Sequence, residues 1–264
     1  MASHHFSNKL GHFAVCCMAI AGLGQVPAYA QSGKKLVTET RVFRVSVDGK
    51  DRGQCTIAVD GYDDGTDKVH VDASVKVDYL ANVYRYQSTG NEIWKNGQLQ
   101  QLDNIADFNG SRFHLDGKTG TKTFRLAVDG VNTDFPADSW PTSYWQIPGP
   151  LVTAVKKAQP KVAPTAGTKA TPGTKSTAVV KPKVATLLDT DKGQKLNGGV
   201  QFVGNEKLKV AGNLQACDHY RIADGVQVEL WYDNSNRLVR QQSLDSGHKT
   251  LLEMTQLAIY RYKN

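Results

Sequence analysis

The chain has 264 residues, 40% of them hydrophobic and 22% charged, with a formal net charge of +7. Past the first thirty residues no run approaches the roughly twenty apolar residues that a membrane helix needs. The positive excess sits in one place, because residues 152–186 hold seven lysines and no acid. The rest of the chain is close to neutral, so the charge does not imply a nucleic-acid-binding surface.

Residues 1–30 read as an export address. A short basic region around Lys9 precedes the apolar run GHFAVCCMAIAGLG, and Ala28-Tyr29-Ala30 offers the small residues of a cleavage site. The expected mature chain starts at Gln31 and is periplasmic or secreted. Cys16 and Cys17 follow Phe13-Ala14-Val15, which is no lipobox, and leave with the signal. That leaves Cys55 and Cys217, and an even count in an oxidising compartment predicts a disulfide between them, with two buried thiols as the other reading.

From residue 43 the dominant period is two. Phe43, Val45 and Val47 alternate with Arg44 and Ser46. Val69, Val71, Ala73, Val75 and Val77 alternate with His70, Asp72, Ser74 and Lys76, and Phe124, Leu126 and Val128 repeat the pattern. Asn96-Gly97, Asn109-Gly110 and Asp129-Gly130 fall between runs at hairpin spacing. The segment SWPTSYWQIPGP, residues 139–150, then sets Trp140, Tyr144 and Trp145 among prolines, which suits a plug over an otherwise open apolar face or a lid over a ligand.

Residues 152–186, rich in Lys, Ala, Thr, Pro and Gly and without an aromatic, cannot bury enough surface to order themselves. They are expected to be a disordered insert, with at most a turn of helix near VTAVKKA. GTKATPGTKST within them mimics a phosphate-binding loop, but Thr174 separates Gly173 from Lys175 and no strand precedes it. Beyond the insert, Val226, Val228 and Leu230 resume the alternation, and TLLEMTQLAIYRY reads as a last strand.

The organisation expected is therefore a signal peptide (1–30) and one β domain in two parts, 31–151 and 187–264, around the insert at 152–186. The fold class is all-β, an antiparallel meander of ten to thirteen strands curled into a half-barrel or open barrel. No long amphipathic helix is available to cover a flat sheet, so the sheet must close, fold over or curl. A weak echo links EIWKNGQLQQLDNIADFNG at 92–110 to ELWYDNSNRLVRQQSLDSG at 229–247. In both, the tryptophan lies two residues after a glutamate, on the same side of its strand. Trp231 is on the side opposite Val226, Val228 and Leu230, and the expected cover for both tryptophans is a loop such as SWPTSYW.

FRVSVDGKDRGQ, VYRYQSTGNEIWKNGQL, WPTSYW, LLDTDKG and ACDHYRIADGVQVELWYDNSNRLVRQ together resemble a family of exported proteobacterial proteins classed as a domain of unknown function. The resemblance takes in most of residues 40–255 apart from the insert. It implies a periplasmic location and a single curved antiparallel sheet, reminiscent of periplasmic lipoprotein carriers. It supplies no catalytic residue set.

The chemistry-bearing residues give little more. GxSxG and HExxH are absent, and His70, His114, His219 and His248 are expected in solvated positions. Cys217-Asp218-His219 lacks a second close pair of metal ligands. Glu92 and Glu229, each near a tryptophan, are a candidate carboxylate pair of the sugar-cleaving kind, though structural pairing with Arg or Lys explains them better. The function expected is thus non-enzymatic, without cofactor or metal. It is an envelope protein that binds or carries an apolar or amphiphilic molecule on a curved sheet, through Tyr86, Trp94, Trp140, Tyr144, Trp145 and Trp231. The alternative is a structural or interaction protein tethered through its lysine-rich insert to anionic envelope polymers or headgroups.

Overall fold

Alternating apolar and polar side chains bury one face of a strand and leave the other wet. The computed structural model describes residues 33–79, 82–158, 182–245 and 247–263, and in it these runs are strands of one sheet. The signal-peptide reading and residues 159–181 of the predicted insert lie outside the described residues. In chain order the first strands are β1 (Lys35–Val47), β2 (Lys50–Tyr62), β3 (Thr66–Tyr79), β4 (Asn82–Lys95) and β5 (Gln98–Phe108). They are followed by β6 (Ser111–Thr119), β7 (Thr123–Val128), β8 (Val131–Pro136), β9 (Trp140–Pro141) and the helix α1 (Gly149–Lys157). The second part comprises β10 (Lys183–Leu188), β11 (Lys195–Val210), β12 (Asn213–Ala223), β13 (Val228–Asp233), β14 (Leu238–Asp245) and β15 (His248–Arg261).

The strand order is β8-β7-β6-β5-β4-β3-β2-β1-β15-β14-β13-β12-β11-β10-β9. Every sequential pair of strands is therefore hydrogen-bonded except β8 and β9, and β15 returns to β1 with Val37 opposite Arg261 and Val47 opposite Thr250. The sheet is an up-and-down ring with one open seam. Residues 137–139 bridge that seam, and Lys195 Nζ donates across it to the Asp134 carbonyl at 2.6 Å. Bulges at Val42/Phe43, Ile93/Trp94 and Trp231/Tyr232 add the local bend that such curvature needs. The turns obey the dipeptide signals. Asn96 and Gly97, with φ of 50° and 76°, are both left-handed as a type I′ hairpin requires, and so are Asn109-Gly110 and Asp129-Gly130.

Fifteen strands exceed the number the sequence suggests. The additions include β9 and β10, which lie in segments read as loop and insert. They pair in parallel, Leu187 opposite Trp140 and Leu188 opposite Pro141, and all four residues are buried. The end of the predicted insert, residues 183–186, thus belongs to β10. The insert's start belongs to α1, where Pro148 precedes the first turn, Val155 is buried, and Lys156 and Lys157 complement the last turn.

The predicted disulfide is absent. Cys55 and Cys217 are free, buried thiols. Cys55 is on β2 and Cys217 on β12, with β1, β15, β14 and β13 between them. Five strand steps of about 4.8 Å along the sheet separate the two positions, and a disulfide tolerates a Cα separation of only about 7 Å. Each thiol is instead a small apolar side chain of its own part of the core.

One end of the ring is filled by the segment after β9. Tyr144, Trp145 and Ile147 are buried there, and neighbouring strands and the β13–β14 turn hold their backbone carbonyls. Tyr232 Oη donates to Tyr144 O at 2.9 Å, Arg41 Nη1 to Trp145 O at 2.6 Å, and Asn236 Nδ2 to Ile147 O at 3.0 Å. Trp145 also packs edge-on against Trp94 of β4, with centroids 5.6 Å apart. Contacts to β1, β4 and β13 at once mean that the segment crosses the interior. It is the plug.

Candidate functional site

The other end of the ring is not filled. A cavity of about 570 Å³ lies beneath β1–β5, β14 and β15, within the usual range for a small-molecule site. One wall is apolar, built from Val45 and Val47 of β1, Cys55 and Ile57 of β2, and Val71, Ala73, Val75 and Val77 of β3. These are the inward members of the alternating runs, so the sequence pattern itself made this wall.

The adjoining wall, on the next strand of the sheet, is polar. On β4 the inward positions Tyr84, Tyr86, Ser88, Gly90 and Glu92 all line the cavity, joined by Asn104 of β5 and by Asp191 from the β10–β11 turn. Tyr86 Oη lies 2.9 Å from both Asp191 carboxylate oxygens and donates to them. Ser88 Oγ lies 3.2 Å from Asp191 Oδ1 and 3.2 Å from the Asn104 side chain. Asn104 Nδ2 in turn donates to Thr190 O. Gly90 makes room for this network, since a Cβ there would come within 2.3 Å of Asn104 Oδ1.

Two carboxyl groups of this wall are perturbed. Burial pushes Asp191 up to about 6, helped by the neighbouring Asp189 charge, while Tyr86, Ser88 and Lys192 pull the other way. Burial also raises Glu92. Trp94 Nε1 donates to its carboxylate at 2.7 Å, and Ser143 and Trp145 favour the ionised form without completing a well-aligned hydrogen bond. The Cys55 thiol is pushed up to about 12, chiefly by burial, and is not a nucleophile there. Ser88 is hydrogen-bonded to an amide and a carboxyl. Among the described residues no group of three or more His, Cys, Asp or Glu side chains is placed to hold a metal. What the arrangement offers is an apolar slot with an acidic, hydrogen-bonding floor.

Of the six residues singled out from sequence, only Tyr86 lines the cavity. Trp94, Trp140, Tyr144 and Trp145 form an aromatic cluster in and under the plug, and each is at most 4% exposed. Trp231 lies on the outer face of the ring, stacked on His219. Glu92 and Glu229 are not a pair either. Glu92 faces inward, whereas Glu229 lies outside between His219 and Arg221. His219 is buried rather than solvated. Ser88, Asn104 and Asp191 were not foreseen. The alternation from Tyr84 to Glu92 was a usable signal for the β4 members, but nothing in LLDTDKG marks Asp191 as inward.

The ring with one seam and the two-sided cavity are the features to compare with known proteins. Residues 43–160 match the family model of DUF6134, a domain of unknown function. The DUF6134 match runs from within β1 to just past α1. It therefore takes in the apolar wall, the β4–β5 wall and the plug, and not the second half of the ring. Among solved structures, the chain is similar to a β-barrel-like protein of the domain of unknown function DUF1849 from Brucella abortus. The TM-score is 0.58 at 10% identity, over 86% of this chain and 99% of that one, so the likeness is one of fold. A DUF1329 family protein from Desulfovibrio piger ATCC 29098 aligns over 86% of each chain at 11% identity, but its TM-score of 0.20 carries no argument. No curated protein matches the chain.

Proposed function

We propose that this protein is an exported, non-enzymatic binder or carrier of an apolar or amphiphilic molecule, held in the cavity lined by the valines of β1–β3 and the polar side chains of β4. One observation carries the reading. A ring of this size has a plug that fills one end, and the other end keeps a cavity of about 570 Å³ with apolar and polar sides set apart. The export address read in residues 1–30 supports the periplasm as the compartment.

The test is native mass spectrometry and solvent extraction of protein recovered from its own compartment, beside an Ala73→Trp variant. Indole bulk at position 73 enters the cavity from its apolar wall, beside its cross-strand partner Ser88. A co-purifying amphiphile in the native protein, absent from Ala73→Trp at equal thermal stability, is the expected result. Identical, ligand-free spectra from both proteins, with no uptake of added amphiphile, would overturn the reading.

A further inference from the structure

The fold treats its buried carboxylates in two ways. Glu39 is paired with Arg41 and Arg237, and Asp233 with Arg237. Among the described residues, Glu92, 3% exposed, and Asp191 are bonded by neutral donors: the Trp94 indole for one, Tyr86 and Ser88 for the other. Both line the cavity, and no lysine or arginine is among the described residues that do. Lys192, next along the chain from Asp191, is exposed and holds its ammonium over the Phe108 ring, 4.8 Å from the centroid. At the same floor Ser143 Oγ is buried without a hydrogen-bond partner.

A buried carboxylate without a cation is costly unless something supplies one. An anionic head beside Asp191 would add a second negative charge to a desolvated site. A neutral head would be tolerated. A protonated amine would meet at Asp191 an acceptor that forms no ion pair with a lysine or arginine among the described residues, with Glu92 about 13 Å further along the strand from Ser88. From Glu92 at the floor to Tyr84 at the far end, the strand runs about 26 Å, alongside a wall made of valines.

We propose that the cavity selects an amphiphile with a protonated amine head and a single apolar tail, the head at Asp191 beside Tyr86 and Ser88, with Glu92 as a second, more distant negative charge, and the tail along Val45, Val71 and Val75. The selection rests on the ligand-binding reading above. Its test is direct titration of the full chain with dodecylamine, dodecanol and dodecanoate, each below its aggregation concentration, with binding followed calorimetrically. Dodecylamine is expected to bind at least ten-fold more tightly than dodecanol, and dodecanoate not measurably. Asp191→Asn alone should cut the amine preference several-fold, and Glu92→Gln with Asp191→Asn should abolish it while dodecanol binding persists. Equal or tighter binding of dodecanoate, or an amine preference that survives the double substitution, overturns the selection. If dodecanol binds and Ala73→Trp blocks it but the amine has no advantage, the selection fails and the cavity reading stands. If none of the three binds, both fail. Should the double variant not fold, the Asp191→Asn comparison decides alone.

Discussion

Trp231 lies flat against His219, their ring centroids 4.2 Å apart and their planes 14° from parallel. The pair sits on the outer face of β13 and β12, where Trp231 and His219 are direct cross-strand partners. The His219 ring nitrogens meet Glu206 at 2.7 Å and Glu229 at 2.6 Å, and Trp231 Nε1 donates to Glu206 at 3.1 Å. From the next strand the Arg240 guanidinium lies 5.5 Å from the indole centroid. A tryptophan on a polar face is thus only 6% exposed because its neighbours on both sides cover it. The loop SWPTSYW has no part in it. Trp231→Ala is expected to cost about 3 kcal/mol of unfolding free energy, measured by urea titration, with ligand uptake unchanged. A loss of uptake at full stability would return Trp231 to the binding site.

Asp191 makes stability fall with rising pH. Its carboxyl titrates at about 6 when folded, against about 3.9 in an unfolded chain. The folded state therefore holds the proton more tightly, so the contribution is fully present below about pH 4 and is lost as pH climbs through 6. The full span is about 3 kcal/mol. Glu92, also raised by burial, acts with the same sign. Asp64 and Glu253, held low by their basic partners, act oppositely, so the readout is the difference between variant and parent. Asp191→Asn should be the more stable protein at pH 7, with the difference shrinking towards pH 4. Parallel curves from pH 4 to 7 would show that Asp191 is not perturbed.

The wall that holds Asp191 also shows how far the sequence could be read. Strands, turns and curling follow from the period of Val69 to Val77 and from dipeptides such as Asn96-Gly97, because those rules are local. The apolar wall was legible for the same reason. The polar wall was not, because Tyr86, Ser88 and Glu92 look like a solvent face and become an inner one only when the ring closes over them. Glu92-Ile93-Trp94 and Glu229-Leu230-Trp231 show the limit most clearly. Both tryptophans sit at a bulge, yet Trp94 points in under the plug and Trp231 points out. Similar residues on opposite faces suit two independent hairpins better than a duplicated unit. Parity along a strand says which residues share a face, and the ring alone decides which face is inside.

Two thiols replace the expected bridge. Cys55 and Cys217 are buried, and burial pushes them up to about 12 and about 11. Neither should react with a disulfide reagent at pH 8 in the folded protein, and both should react once it is unfolded. A reductant should leave Tm unchanged. A Tm that drops on reduction, or an intact mass short by two hydrogens, would restore the bridge.

The plug is held by charge as well as by apolar contact. Arg41 and Arg237 both bond Glu39, Arg237 also bonds Asp233 at 2.9 Å, and Arg41 carries the Trp145 carbonyl. Arg41 is 3% exposed, and burial lowers its pKa against the pull of Glu39. Removing one member of such a buried set strands the rest, which typically costs about 3–5 kcal/mol. Glu39→Ala is expected in that range. Lys76 and Asp78, 3.4 Å apart with side chains 57% exposed, supply the control, since Lys76→Ala at an open surface should change stability by less than about 1 kcal/mol. Arg41→Lys should recover little, because one ammonium cannot reproduce a guanidinium that reaches Glu39 through Nε and Trp145 through Nη1. It should also weaken the near-ultraviolet circular dichroism of the Trp94–Trp145 pair before global unfolding. An Arg41→Lys protein with parental stability and an intact aromatic signal would mean that the plug stands on its apolar contacts alone.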